Sequence, residues 1–186
     1  IRRMYTDQEN VFYYVTVMNE NYAHPPMPEG AQEGILQGMH RLRQAPKGRK
    51  AVPRVQLFGS GTILRESMAA AELLEQDFGV LADLWSVTSY NELARQGREA
   101  VRWNRLHPEA AARPVYVSEQ LADALGPIIA ASDYNQAYAD QIREFVNGRR
   151  YVVLGTDGYG RSGTREQLRR FFEVDRYQIA IAALSA

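Results

Sequence analysis

The sequence has no cysteine, no surplus of either charge, only three histidines and no long apolar run. Each shortage removes a class of function. Without cysteine there is no disulfide, no thiol nucleophile and no thiolate zinc site, and the redox compartment is left open. Lys+Arg and Asp+Glu both total 22, so the basic excess that marks a nucleic-acid partner is missing. No stretch approaches the ~20 apolar residues of a membrane span. The first ten residues, "IRRMYTDQEN", carry charge without an apolar core, so they do not read as a secretory leader. Position 1 is not Met, and "YQIAIAALSA" stops inside an apolar segment, so both ends read as cut from a longer chain.

What remains is ordinary globular material. The chain has 186 residues, 45% hydrophobic and 24% charged, which suits one domain, or one domain plus a piece of another. That length can bury a core without staples. "VFYYVTVM" (11–18) is β-branched and aromatic and predicts a strand. "NENYAHPPMPEG" follows, and its prolines keep the chain extended, as in a linker. Ile35, Met39 and Leu42 predict a short helix over 33–42. "QAPKGRKAVP" is a polar break.

From there strand and helix alternate. Strands are predicted at 54–59, 80–87, 127–132 and 151–155. A helix over 62–78 carries Leu64, Met68, Ala71, Leu74 and Phe78, and Gly79 closes it. Ser89 with Glu92 forms a capping box for a helix ending at His107-Pro108. A short helix begins near Ser118, and Asp133 caps one carrying Tyr134, Ala137, Tyr138, Ile142 and Phe145. Thr164 with Gln167, and Asp175 with Gln178, cap the last two. The alternation predicts an α/β domain, a mainly parallel sheet with helices on both faces. The domain boundary falls in the Pro-rich stretch, dividing 1–30 from 31–186.

The most conspicuous chemical signal is "VVLGTDGYGRSGTREQL" (152–168), where Gly158, Gly160 and Gly163 spell G-x-G-x-x-G. A dinucleotide fingerprint belongs in the first strand–turn–helix of its unit, with an acidic residue ending the second strand. Here the motif comes last, and Asp175 precedes an apolar stretch instead of ending it. A βα turn with conformationally free glycines is the simpler reading. Arg161 and Arg165 at the following helix start offer an anion site, or salt bridges to another domain. Gly59-Ser60-Gly61 is too short for a P-loop and lacks its Lys-Ser/Thr pair. His24, His40 and His107 show no metal-ligand spacing, and no G-x-S-x-G elbow exists. No catalytic set, no metal set and no cofactor set emerges. The carboxyl ends of the parallel strands are where a ligand of such a sheet sits. The polar groups there, as ligand or interdomain contacts, are Ser60, Thr88, Asn91, Thr156, Asp157 and Arg161.

Five long stretches carry a resemblance: "NENYAHPPMPEGAQEGILQG", "GSGTILRESMAAAELLEQDFGV", "DLWSVTSYNELARQG", "RWNRLHP" and "LGTDGYGRSGTREQLRRFFEVD". Together they resemble the C-terminal, transketolase C-terminal-like region of the homodimeric, bacterial-type pyruvate dehydrogenase first component. The resemblance covers nearly the whole chain and implies a three-layer α/β/α sandwich with a mixed, mostly parallel sheet of about five strands. It implies a thiamine-diphosphate-dependent subunit that decarboxylates pyruvate and transfers the acetyl group to lipoamide. Residues 1–30 would then end a pyrimidine-binding domain and form the linker, and 31–186 would be the third domain. The catalytic histidines, the activating glutamate and the metal-binding Asp/Asn pair lie upstream, so thiamine diphosphate and magnesium are held by other domains and the fragment alone is expected to be inactive. The implied partners are the upstream domains, a second copy and the lipoyl acyltransferase component, with no nucleic acid and no membrane, in the cytoplasm. At the glycine loop the family pattern is G-T-D-G-x-G-R-S, which leaves Gly163 at a variable position. NAD in that complex belongs to the lipoamide dehydrogenase. Transketolase, another 2-oxo acid decarboxylating subunit, or a small anion- or nucleotide-binding α/β module are the alternatives.

Overall fold

The computed structural model describes residues 1–15, 17, 21–46 and 52–186. Its five-stranded sheet has the order β1-β3-β2-β4-β5. The strands are β1 (Met39–Arg43), β2 (Arg54–Gly59), β3 (Leu81–Val87), β4 (Ile128–Asn135) and β5 (Tyr151–Thr156). β2 through β5 run parallel, and β1 pairs with β3 antiparallel at one edge. The helices are α1 (Arg2–Tyr5), α2 (Ala31–Gln37), α3 (Ile63–Asp77), α4 (Tyr90–Leu106), α5 (Tyr116–Gln120), α6 (Gln136–Asp140), α7 (Arg165–Phe171) and α8 (Arg176–Ser185). The mixed, mostly parallel α/β sandwich read from the sequence is the architecture found.

Strand alternation explains the two cores. On β2, Val55 and Leu57 face one layer while Gln56 and Phe58 face the other; on β4, Ile129 and Ala131 oppose Ile128 and Ala130. The first face packs on α3 through Ile63, Ala70, Ala71 and Leu74, and on α8 through Ile179, Ala180 and Ala183. The second packs on α4 and α5 through Leu93, Ala94 and Val117, with Ile142 and Phe145 beyond α6. Burying each large side chain contributes roughly 1.5–3 kcal/mol.

Three elements depart from the sequence reading. The predicted helix over 33–42 is two elements: α2 ends at Gln37, Gly38 turns the chain at φ 108, and Met39–Arg43 become the edge strand β1. Met39 is fully buried against Trp85, and only the strand register aims it there. The helix predicted to start at Asp133 starts later. β4 continues to Asn135, whose side chain accepts the Ala137 N–H, and a 3-10 turn at 143–145 replaces the last helical turn. The predicted strand at 11–18 does not form over 11–15 and 17, while Thr16 and Met18 lie outside the described residues. Phe12 and Tyr14 there are more than four-fifths exposed, with no neighbouring strand among the described residues to pair with.

The caps behave locally. Thr164 and Gln167 form the full reciprocal box before α7. Ser89 accepts the Glu92 N–H at 3.1 Å, but the Glu92 carboxylate turns to Arg95 instead of closing the box. Asp175 accepts from both Tyr177 and Gln178 N–H groups at the head of α8.

The amino end of the sheet is closed by a buried polar network. Asp83 accepts the Gln56 amide at 2.8 Å and the Ala45 N–H at 2.7 Å. The same amide nitrogen donates to the Leu125 carbonyl, and the Gln56 oxygen accepts the Trp85 indole N–H at 2.8 Å. Beside it, Gly126 holds φ 82, and a Cβ there would lie 1.8 Å from the Arg54 carbonyl oxygen. Only glycine fits this approach.

Candidate functional site

In the order β1-β3-β2-β4-β5 the chain leaves β2 toward β3 on one side and later returns to β4 on the other. The carboxyl ends of β2 and β4 are therefore the topological switch point, where open parallel sheets leave a crevice. The residues that build it come from three turns. Thr62, at the N-cap of α3, makes no cap bond to its own helix and donates its hydroxyl to the Asp133 carboxylate at 3.0 Å. The Ser60 N–H donates to the Ala131 carbonyl. A register irregularity between Ala131 and Asn135 separates β4 from the regular ladder, and the Thr156 hydroxyl donates to the Asp133 carbonyl there at 3.0 Å. Asp133 thus ties together the ends of β2, β4 and β5.

Over this floor lies a cleft of about 660 Å³. Arg161, Arg165 and Arg169 stand on its wall, with Leu168, Phe172 and Val174 between them. A second recess of about 670 Å³ shares Gly160, Arg161 and Phe172 and adds Asp157, Tyr159 and Gln136. The Arg161 guanidinium lies 4.6 Å from the centroid of the Phe171 ring, a cation–π contact.

Behind the cleft sits a charged hub. Glu66 on α3 is 6% exposed and accepts from Arg169 at 3.4 Å and from Arg176 through its backbone N–H and its side chain. Burial pushes this carboxyl up. The Arg176 hydrogen bonds and the Arg176 and Arg169 charges outweigh that and hold it below the usual carboxylate range. Glu66 thereby fixes the orientation of α7 and α8 against α3.

Of the residues singled out from sequence, Thr156 and Arg161 line the cleft and Asp157 lines the neighbouring recess. Ser60 stands in the turn beside them. Thr88 and Asn91 line neither recess. The Thr88 hydroxyl donates to the Ile35 carbonyl at 2.8 Å, and Asn91 accepts from Gln141, so both serve the opposite, β1–α4 side. Sequence reasoning missed Thr62, Asp133 and Glu66. Thr62 alone stands just after a strand; Asp133 lies within β4 and read as a helix cap, and Glu66 sits on α3, 110 residues from its partner Arg176.

The glycine loop lacks the close packing that a dinucleotide fingerprint asks of its glycines. Cβ atoms at Gly158 and Gly160 would meet nothing within 4 Å, and one at Gly163 would only touch Leu168 of its own helix at 3.5 Å. No backbone or strand presses on these positions, and the loop follows an edge strand. None of the three histidines lines either recess. His24 is exposed, the His107 ring Nδ1–H donates to the Trp103 carbonyl at the end of α4, and burial pushes the His40 imidazole down. Among the described residues no three His, Cys, Asp or Glu side chains gather as a metal site, and no helix is long and apolar enough to cross a membrane. The arrangement can bind and orient.

Comparison with known proteins agrees with this architecture. The family model of the transketolase-like TK C-terminal domain matches residues 38–175, and that of the pyruvate dehydrogenase E1 component middle domain matches residues 1–25. Pyruvate dehydrogenase E1 components are similar along the whole chain. That of Cupriavidus necator is 57% identical over 186 residues, covering 100% of this chain and 21% of that protein. That of Pseudomonas aeruginosa is 55% identical, with 100% and 21% covered. That of Escherichia coli K12 is 50% identical, with 99% and 20% covered. The chain spans about a fifth of the length of these curated relatives. Among solved structures, transketolase from Campylobacter jejuni superposes with a TM-score of 0.53 at 16% identity, over 81% of this chain and 19% of that one. Transketolase from Leishmania mexicana gives 0.52 at 15% identity, over 82% and 18%. At such identities the likeness is one of fold. The switch-point sheet, the antiparallel edge strand and the match over residues 38–175 lead to one conclusion: the chain belongs to the family of transketolase-like TK C-terminal domains.

Proposed function

We propose that this chain is the C-terminal part of a pyruvate dehydrogenase E1 component, and that it supports the subunit's dimer and active-site architecture without catalysing a step itself. The observation that carries the reading is identity of 50–57% along essentially the whole chain to three proteins of that name. In this reading residues 1–30 are the end of the preceding domain with its linker, and 31–186 the C-terminal domain. The match of the middle-domain model to residues 1–25 supports that division. The whole subunit decarboxylates pyruvate and passes the acetyl group to lipoamide. Its partners are its own upstream domains, a second copy and the lipoyl acyltransferase component, in the cytoplasm.

Thiamine diphosphate and magnesium supply the carbanion chemistry of such a subunit when bound. The residues described here do not fit that group. The cleft holds one carboxylate, Asp133, already hydrogen-bonded by Thr62, and no acidic cluster to carry a divalent ion. The role left for this chain's cleft is contact, with Ser60, Thr156, Asp157 and Arg161 facing a neighbouring domain and Thr88 and Asn91 stabilising the far edge.

The test is a domain exchange. This chain replaces the matching C-terminal fifth of the Escherichia coli E1 component, and pyruvate-dependent acetyl transfer to lipoamide is assayed. The expected result is a folded subunit retaining at least about a tenth of the parental rate, a loss of about 1.4 kcal/mol or less. A folded, cofactor-bound but inactive exchange protein would contradict the reading.

A further inference from the structure

We propose that the Tyr22 side chain of this chain's own incoming segment is an anchor, clamped between two arginines so that it forms one wall of the switch-point crevice and pins the segment to the domain. The geometry is two-sided. The Arg65 guanidinium of α3 lies 4.1 Å from the centroid of the Tyr22 ring. From α7, Arg169 Nη2 donates to the Tyr22 hydroxyl at 3.3 Å. Arg169 is itself aimed by the buried Glu66 carboxylate, which takes its other terminal nitrogen. Tyr22 and Val17 line the same 660 Å³ cleft as Thr62, Asp133 and Thr156.

The wall of the crevice suits this side chain. A cationic wall with an apolar bed recognises an aromatic ring that carries a hydrogen-bond acceptor, through its π-face and its hydroxyl. Within the segment Tyr22 is half-buried while Asn21, Ala23 and His24 are exposed, so the ring is the anchor. The prolines then direct the chain. Pro25, Pro26 and Pro28 line a third recess with Leu42, Met68 and Leu84, on the α3 face of the sheet toward its β1 edge. An extended, Pro-stiffened strap thus runs from the crevice to the edge strand, held at both ends. The place where related sheets receive a ligand is here used to register the preceding segment against the domain.

The absence of cysteine gives a clean probe. A single nitroxide spin label on Ala23→Cys, an exposed position next to the anchor, reads the strap alone by electron paramagnetic resonance. Four chains are compared: the labelled parent, and the same chain with Tyr22→Ala, Tyr22→Phe or Arg65→Gln. Phe keeps the ring on Arg65 and loses only the hydroxyl. Arg65 is exposed, so its replacement leaves the core intact. The expected result is an immobilised label in the parent, freed by Tyr22→Ala and by Arg65→Gln with a correlation time roughly tenfold shorter, and largely restored by Tyr22→Phe. The thermal midpoint stays within about two degrees of the parent, because the cores are untouched. A parent label that is already free, or a Tyr22→Ala chain indistinguishable from the parent, overturns the proposal. So does a Phe chain as free as the Ala chain.

Discussion

Two buried carboxylates, at opposite ends of one sheet, are satisfied by different means. Asp83, near the amino ends of the strands, accepts from neutral donors alone, the Gln56 amide and the Ala45 N–H. Glu66, beside the carboxyl ends, accepts from two arginines, one of which is 47% exposed. The first network is sealed: every donor is fixed by a strand or a loop packed on it. The second reaches the surface through Arg176. Sheets of this kind are built at one end and used at the other, and here the division is written in the chemistry of the hydrogen bonds.

The largest expected effect sharpens the contrast through glycine. Gly126→Ala forces a Cβ into the Arg54 carbonyl while holding positive φ, and should cost at least about 3 kcal/mol in urea unfolding or prevent folding. Gly158→Ala at the carboxyl end shares the positive φ but meets open space, and should cost only about 1 kcal/mol. Equal losses at the two positions would erase the contrast. Next, Asp83→Ala leaves the Ala45 N–H without its acceptor and the Gln56 amide with the Leu125 carbonyl alone, and should lose about 2–4 kcal/mol with little dependence on salt.

Glu66→Gln should cost less, about 1–2 kcal/mol at neutral pH, because its arginines regain water, and added salt should shrink the difference. Its pH dependence has a definite sign. The folded carboxyl titrates below its unfolded value, so its contribution is complete above that unfolded value, near 4.3, and is lost as pH falls through the lower folded one. Between about pH 5 and about pH 3 the parent should therefore lose more stability than the Gln variant, in denaturation series run at each pH. The smallest effect belongs to the exposed pairs of Arg95 with Glu92 and Glu99, where Arg95→Ala should change stability by no more than about 0.5 kcal/mol.

How much of this was legible follows from the range of each interaction. β2, β3 and β5 announce themselves as apolar runs, and Thr164 with Gln167 is a local capping signal that needs no tertiary context. β1 did not, because Ile35, Met39 and Leu42 happen to fall at helical spacing. Gly38 was the available stop signal, and its left-handed φ is what ends α2. Asp133 read as a cap because Asp before a Tyr-Ala pattern is a good helix start, yet pairing with β5 at Asn135 carries the strand past it. The networks were out of reach. Gln56 and Trp85 are 29 residues apart, Thr62 and Asp133 are 71, and Glu66 and Arg176 are 110. Each is a polar residue whose partner exists only once the sheet has formed. The carboxyl-end residues were anticipated as a group, but which of them converge depends on strand order, which divided Thr156 and Arg161 from Thr88 and Asn91.

The central claim is that the carboxyl end of this sheet is turned to the protein's own polypeptide and not to a cofactor. Calorimetric titration of the purified chain, with thiamine diphosphate plus magnesium in one cell and NAD in a second, tests it most directly. The account predicts no saturable heat in either. Saturable NAD binding that is lost on substituting Arg161 would make the glycine loop a true dinucleotide site, and saturable thiamine diphosphate binding would place cofactor chemistry within this chain; either result contradicts the account.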